Sequence, residues 1–69
     1  MKIEGIVQYV NGPRLGLDIH GPIYVVEEDV AKDLLGKKIK AIVKPIRHGE
    51  IIIRHKIIEI IEAEALHHG

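Results

Sequence analysis

The residue pattern predicts an all-β domain with one short helix, folded as a small five-stranded barrel. Three observations predict it. Short runs rich in Ile and Val alternate with polar residues at period two. Glycine-containing turn signals separate those runs. Between Glu27 and Leu35 the period changes to helical. With 69 residues the chain holds one domain, residues 1–69, because separate cores need more chain.

The first strand is expected over Ile3 to Val10, with Gly5 near its start where a barrel strand can bend. Asn11-Gly12-Pro13 is a turn signal. Arg14 to Ile19 alternates, with Leu15, Leu17 and Ile19 on one face and Arg14, Gly16 and Asp18 on the other. His20-Gly21-Pro22 is a second turn, and Ile23 to Val26 a short third strand. Val30, Ala31, Leu34 and Leu35 then fall at helical spacing. Glu27, Glu28 and Asp29 sit where the helix dipole favours acid, and Gly36 where a C-terminal cap needs positive φ.

Lys37 to Ile46 is expected as the fourth strand, with Ile39, Ala41 and Val43 on one face and Lys38, Lys40, Ile42 and Lys44 on the other. Arg47-His48-Gly49 reads as a hairpin turn, and the fifth strand starts at Glu50. Beyond Lys56 the isoleucines come in pairs, Ile57-Ile58 and Ile60-Ile61. Either a bulge shifts the phase of one long strand or a helix begins. The strand is favoured, to about Ile61, with residues 62–69 a short helical turn or frayed tail.

Composition narrows the function classes. Cysteine, serine and threonine are absent, so disulfides and the common thiol and hydroxyl nucleophiles are excluded. Glu27-Glu28 and Asp29 are explained by capping, and no glycine-rich phosphate loop is present. The expectation is a binding or assembly module, not an enzyme, with no cofactor. No apolar run is long enough for a secretory leader or a bilayer span, so a soluble cytoplasmic protein with no membrane partner is expected. Abundant Ile, Val, Lys and Glu with few amides give a thermophile-like composition.

The net charge of zero conceals segregation. Residues 1–36 carry three Lys/Arg against six Asp/Glu; residues 37–56 carry seven against Glu50 alone; residues 57–69 carry three Glu and no Lys or Arg. A basic face can hide in such a neutral total. Lys38, Lys40 and Lys44 form a stripe on one side of strand four, and Arg47, Arg54 and Lys56 can extend it across the hairpin. Cations that track a backbone are what phosphate binding needs, although a solvated strand face explains the same pattern.

Tyr9 and Tyr24 are the only aromatics; Tyr24 is the candidate for base contact, and barrel packing is its alternative. So few rings argue against a general single-strand binder: stacking is a minor contribution, and any grip on nucleic acid rests mostly on phosphate contact and shape. Five histidines stand out. His20 and His48 lie in turns, His67 and His68 in the tail, and a zinc set could draw on His48, His55 and a carboxylate, but no metal-ligand spacing is present and no metal is expected. Seven isoleucines between Glu50 and Ile61 exceed what one barrel strand needs. Ile52, Ile58 and Ile60 are therefore candidates for self-association into a homo-oligomer.

The element order β-β-β-α-β-β resembles the OB fold, a five-stranded Greek-key barrel. Gly5-Ile6-Val7, Leu15 to Ile19, Leu35 to Val43 and Gly49 to Arg54 carry that resemblance, and the layout is similar to bacterial translation initiation factor one and related small RNA-binding barrels. Val26 to Val43 also looks like the swapped-hairpin barrel of antitoxin and transition-state-regulator dimers, although Val26-Glu27 replaces their usual proline before the helix. Both resemblances imply a nucleic-acid partner, the first RNA. A structural subunit assembling through the last strand, or a binder of small oxyanions at a subunit interface, are the alternatives.

Overall fold

The computed structural model describes residues 1–19 and 21–66. Five strands and one helix follow in the order β1 (Lys2–Asn11), β2 (Arg14–Leu17), β3 (Tyr24–Val25), α1 (Glu28–Leu34), β4 (Lys37–His48) and β5 (Ile51–Ala65). The strands form one sheet in the spatial order β1-β2-β3-β5-β4, and β4 pairs back onto β1, so the sheet closes in a ring. Every pairing is antiparallel except β3 with β5. The ring is completed within one chain and needs no exchanged hairpin.

Inside the ring lies the core. Val7, Leu15, Ile39 and Val43 are fully buried, and Ile3, Leu17, Tyr24, Val26, Ala41 and Ile57 surround them. Ala31 and Leu34 of α1 join the same cluster. The helix lacks a side-chain cap at Glu27 but carries Glu28 and Asp29 in its first turn, where its dipole favours them. Gly36, at φ 82°, turns the chain out of the helix, and its N–H donates to the Val7 carbonyl at 2.8 Å.

Several boundaries differ from the sequence reading, each for a local reason. Both hairpins close with two-residue turns, Gly12-Pro13 and Gly49-Glu50, each with glycine first at positive φ. His48 thus remains in β4. β2 ends at Leu17, and Ile19 is exposed instead of sharing the buried face of Leu15 and Leu17. At that point Asp18 takes over from the strand. Its carboxylate oxygen accepts the Ile6 N–H at 2.8 Å, and its own N–H donates to the Ile6 carbonyl at 2.8 Å.

β5 continues as strand to Ala65, four residues past the expected end, because the ladder with β4 absorbs extra β5 residues at three bulges, two of them beyond Lys56. The pairing steps from Ile42–Glu59 to Val43–Ile57, leaving Ile58 over, and from Lys40–Glu62 to Ala41–Ile60, leaving Ile61 over. These bulges explain the paired isoleucines: Ile57 is buried and Ile60 packs against the core, while Ile58 and Ile61 turn out. The turn assigned to His20 and the tail at 67–69 lie partly or wholly outside the described residues.

Candidate nucleic-acid interface

The lysine stripe divides into two environments. Lys38 and Lys40 face Glu64 and Glu62 of β5 on one side and neighbour Glu4 of β1 on the other. Lys38 Nζ lies 3.5 Å from Glu4 and Lys40 Nζ lies 3.3 Å from Glu62. These are the two ion pairs among the described residues, and they neutralise that end of the stripe.

Lys44 sits in the opposite situation. Its cross-strand partner is Lys56. Following the register around the ring, Lys56 lies beside Val25 of β3, and Val25 lies opposite Arg14 of β2. Arg14, Val25, Lys56 and Lys44 therefore form one row crossing four strands. Directly opposed residues point to the same side of a sheet, and the adjacent row, Leu15, Tyr24, His55 and Pro45, points inward. The cationic row is thus on the outer face. At ~4.8 Å per strand it spans roughly 14 Å.

Arg54 stands two residues from Lys56 on the same outer face, opposite Ile46. Between Arg54 and Arg14 runs an open groove of about 380 Å³ lined by Tyr9, Arg14, Ile23, Val25, Ile53 and Arg54. That volume falls in the roughly 300–1,000 Å³ range of small-ligand sites. Bulges aim two of its walls. In β1 the ladder steps from Val7–Leu17 to Tyr9–Gly16, so Gln8 is extra and Tyr9 faces out. In β5 it steps from Ile46–Arg54 to Arg47–Ile52, and the extra residue is Ile53. Gly16 lies under the Tyr9 side chain. A Cβ there would sit 3.2 Å from the Ile23 Cδ1 and 3.5 Å from the Tyr9 Cβ, so glycine lets both side chains lie down on the sheet.

Of the residues named from sequence, Lys44, Arg54 and Lys56 come together, and Arg47 lies further out on the hairpin, opposite Ile52. Lys38 and Lys40 lie further along β4 and are paired with carboxylates instead. Tyr24 is 3% exposed, with its ring edge-on to His55 at 6.3 Å, and burial raises its hydroxyl above the ordinary tyrosine range. It offers no open face to a base, whereas Tyr9 is 45% exposed. Ile52 and Ile58 are exposed, and Ile60 is half taken up by the core. Tyr9, Arg14, Ile23, Val25 and Ile53 were not singled out as site residues from the sequence. Only Arg14, a lone cation on the outward side of an alternating strand, carried a readable signal.

Among the described residues no three His, Cys, Asp or Glu side chains gather where a metal could be held, so the set of His48, His55 and a carboxylate does not assemble. No helix among them is long and apolar enough to cross a membrane. Against models of protein families, curated proteins and solved structures, the chain finds no match.

Proposed function

We propose that the protein is a non-catalytic module that binds nucleic acid, RNA foremost, along the outer groove between Arg14 and Arg54. The observation that carries this reading is the row Arg14, Lys56, Lys44, with Arg54 beside it. Its four cations stand together with no ion-pair partner among the described residues. Like charges set side by side cost stability, and a polyanion relieves that repulsion. A single oxyanion needs converging donors, and this row is extended instead, which favours a polymer.

The architecture proposed is an OB-like barrel. The reading is supported by the ring order, the parallel β3–β5 pairing and the helix between β3 and β4. It also fits that barrels of this class bind oligonucleotides across strands two and three and the adjoining loops. Tyr9 supplies one stacking surface and Ile23, Val25 and Ile53 an apolar floor. With one available ring, phosphate contact dominates, so binding should be weakly selective for sequence and steeply dependent on salt.

The test is fluorescence anisotropy with a labelled oligonucleotide of about 12 nucleotides, within the ~4–16 that one such barrel covers. Four neutralised phosphates give a slope of log affinity against log salt of about −3. Arg14→Ala and Lys56→Ala should each weaken binding and make the slope shallower by about 0.7. Absence of binding at low salt, or an affinity indifferent to salt and to these substitutions, rules the reading out.

A further inference from the structure

The groove between Arg14 and Arg54 has a floor that phosphate contact leaves unexplained. Tyr9 pairs with Gly16, and Val25 pairs with Arg14 on one side and Lys56 on the other. Ile23 and Arg54 each stand two residues before Val25 and Lys56. Tyr9, Gly16, Ile23 and Arg54 therefore make a second outer row beside the cationic one, about 7 Å from it along the strands. Gly16 is the low point of that row. A Cβ there would meet the Ile23 Cδ1 at 3.2 Å and the Tyr9 Cβ at 3.5 Å, so the two side chains close over the glycine into one apolar shelf. Tyr9 is 45% and Ile23 47% exposed, and with Val25 and Ile53 they line the groove of about 380 Å³.

An occupant of this groove must bring two chemistries: an anion for the cationic row and a flat apolar face for the shelf. A nucleotide has both, provided that its base is out of the stack. In an uninterrupted A-form duplex the base faces lie against one another, and the helix turns phosphates, 2′-hydroxyls and base edges outward. Laying such a backbone over Tyr9, Ile23 and Ile53 would desolvate polar groups against apolar side chains with no compensating bond. A continuous single strand offers many base faces, but stacking several of them takes several rings. The chain has two tyrosines, and Tyr24 is buried. One open ring matches one base.

We infer that the groove takes a single unpaired base, laid on Tyr9 and Ile23, while the flanking phosphates follow Arg14, Lys56 and Lys44. The preferred RNA is one that carries an isolated unstacked nucleotide, as at a bulge or in a loop. This rests on the nucleic-acid reading above and narrows its ligand.

The test is fluorescence anisotropy with three labelled RNAs at one low salt concentration: a blunt duplex, the same duplex with a one-nucleotide bulge, and the bulged duplex with that nucleotide abasic. The abasic RNA keeps the phosphate and the interruption of the helix and lacks only the base. The bulged RNA should bind about five- to a hundredfold more tightly than the abasic one. Both should show the same slope of log affinity against log salt, because the base carries no charge. Tyr9→Ala should abolish the difference between bulged and abasic RNA, and Tyr9→Phe should keep it, with circular dichroism showing that both variants are folded. Equal affinity for bulged and abasic RNA, or a difference that survives Tyr9→Ala, overturns the inference. If all three RNAs then still bind with steep salt dependence, the nucleic-acid reading stands without it; if none binds at low salt, both fall.

Discussion

Lys44 stands directly across from Lys56 on the outer face of β4 and β5, and neither has an ion-pair partner among the described residues. Like charges in that position destabilise a sheet by up to about 1 kcal/mol. Lys44→Glu should therefore stabilise the protein by about 0.5 kcal/mol in urea denaturation, with the gain shrinking as salt screens the pair. The same substitution should weaken oligonucleotide binding. Opposite signs for stability and binding are the expected signature; a loss of both would mean that the two ammonium groups splay apart and do not repel.

Lys38 and Lys40 should behave differently, because Glu4 and Glu62 already hold them. All four side chains are substantially exposed, so Glu4→Gln or Glu62→Gln should cost less than about 1 kcal/mol. Lys38→Gln and Lys40→Gln should leave oligonucleotide affinity nearly unchanged, whereas Lys44→Gln lowers it. Anisotropy titrations of the three variants at one salt concentration make the comparison. Equal losses at all three positions would place the nucleic acid along the whole stripe.

The two tyrosines should separate packing from binding. Tyr9→Ala should weaken oligonucleotide binding by about 1 kcal/mol or more if a base stacks there, with little change in stability. Tyr24→Phe should preserve binding.

Alkaline pH gives a second readout of Tyr24. Burial raises its hydroxyl above the ordinary tyrosine value of about 10, so the folded state holds the proton more tightly than the unfolded chain does. The resulting stability is fully present below pH 10 and is lost as pH rises from there through the folded-state value. Tyr24→Phe should flatten that decline in urea midpoints taken across the alkaline range.

Leu15 sits at the centre of the ring with no exposed surface. Leu15→Ala should cost about 2–5 kcal/mol by thermal or urea unfolding, a large part of the margin of so small a domain. Ile51→Ala, exposed beside the β4–β5 turn, should change stability by less than about 0.5 kcal/mol.

Much of this arrangement was legible in the residues. The helix was marked by the change of period at Glu27 and by Gly36, and the turns by Asn11-Gly12-Pro13 and the glycine after His48. What misled was parity. The unpaired Gln8 in β1 turns Tyr9 outward, where simple alternation from Val7 points it in. For Tyr24 the sequence leaves base contact and barrel packing both open, and its place opposite Leu15 buries it. Ile58 and Ile61 register in the sequence only as doubled isoleucines, because a bulge is set by two strands and appears in one of them as an irregularity.

Local chemistry alone determined the element order, the single helix, the absence of cysteine, serine and threonine nucleophiles, and the identity of the inward residues Ile39, Ala41 and Val43. Those depend on period, composition and turn residues, all properties of neighbours in the chain. Tertiary structure decided which charges meet. Glu62 and Glu64 lie more than twenty positions from Lys40 and Lys38, and become their neighbours only because β5 runs antiparallel to β4 up to Ala65. Arg14 and Lys56 join Lys44 only because β2, β3, β5 and β4 lie side by side in that order. Coulombic interaction follows distance in space, and in a closed sheet that distance is set by register between strands, which no single segment encodes.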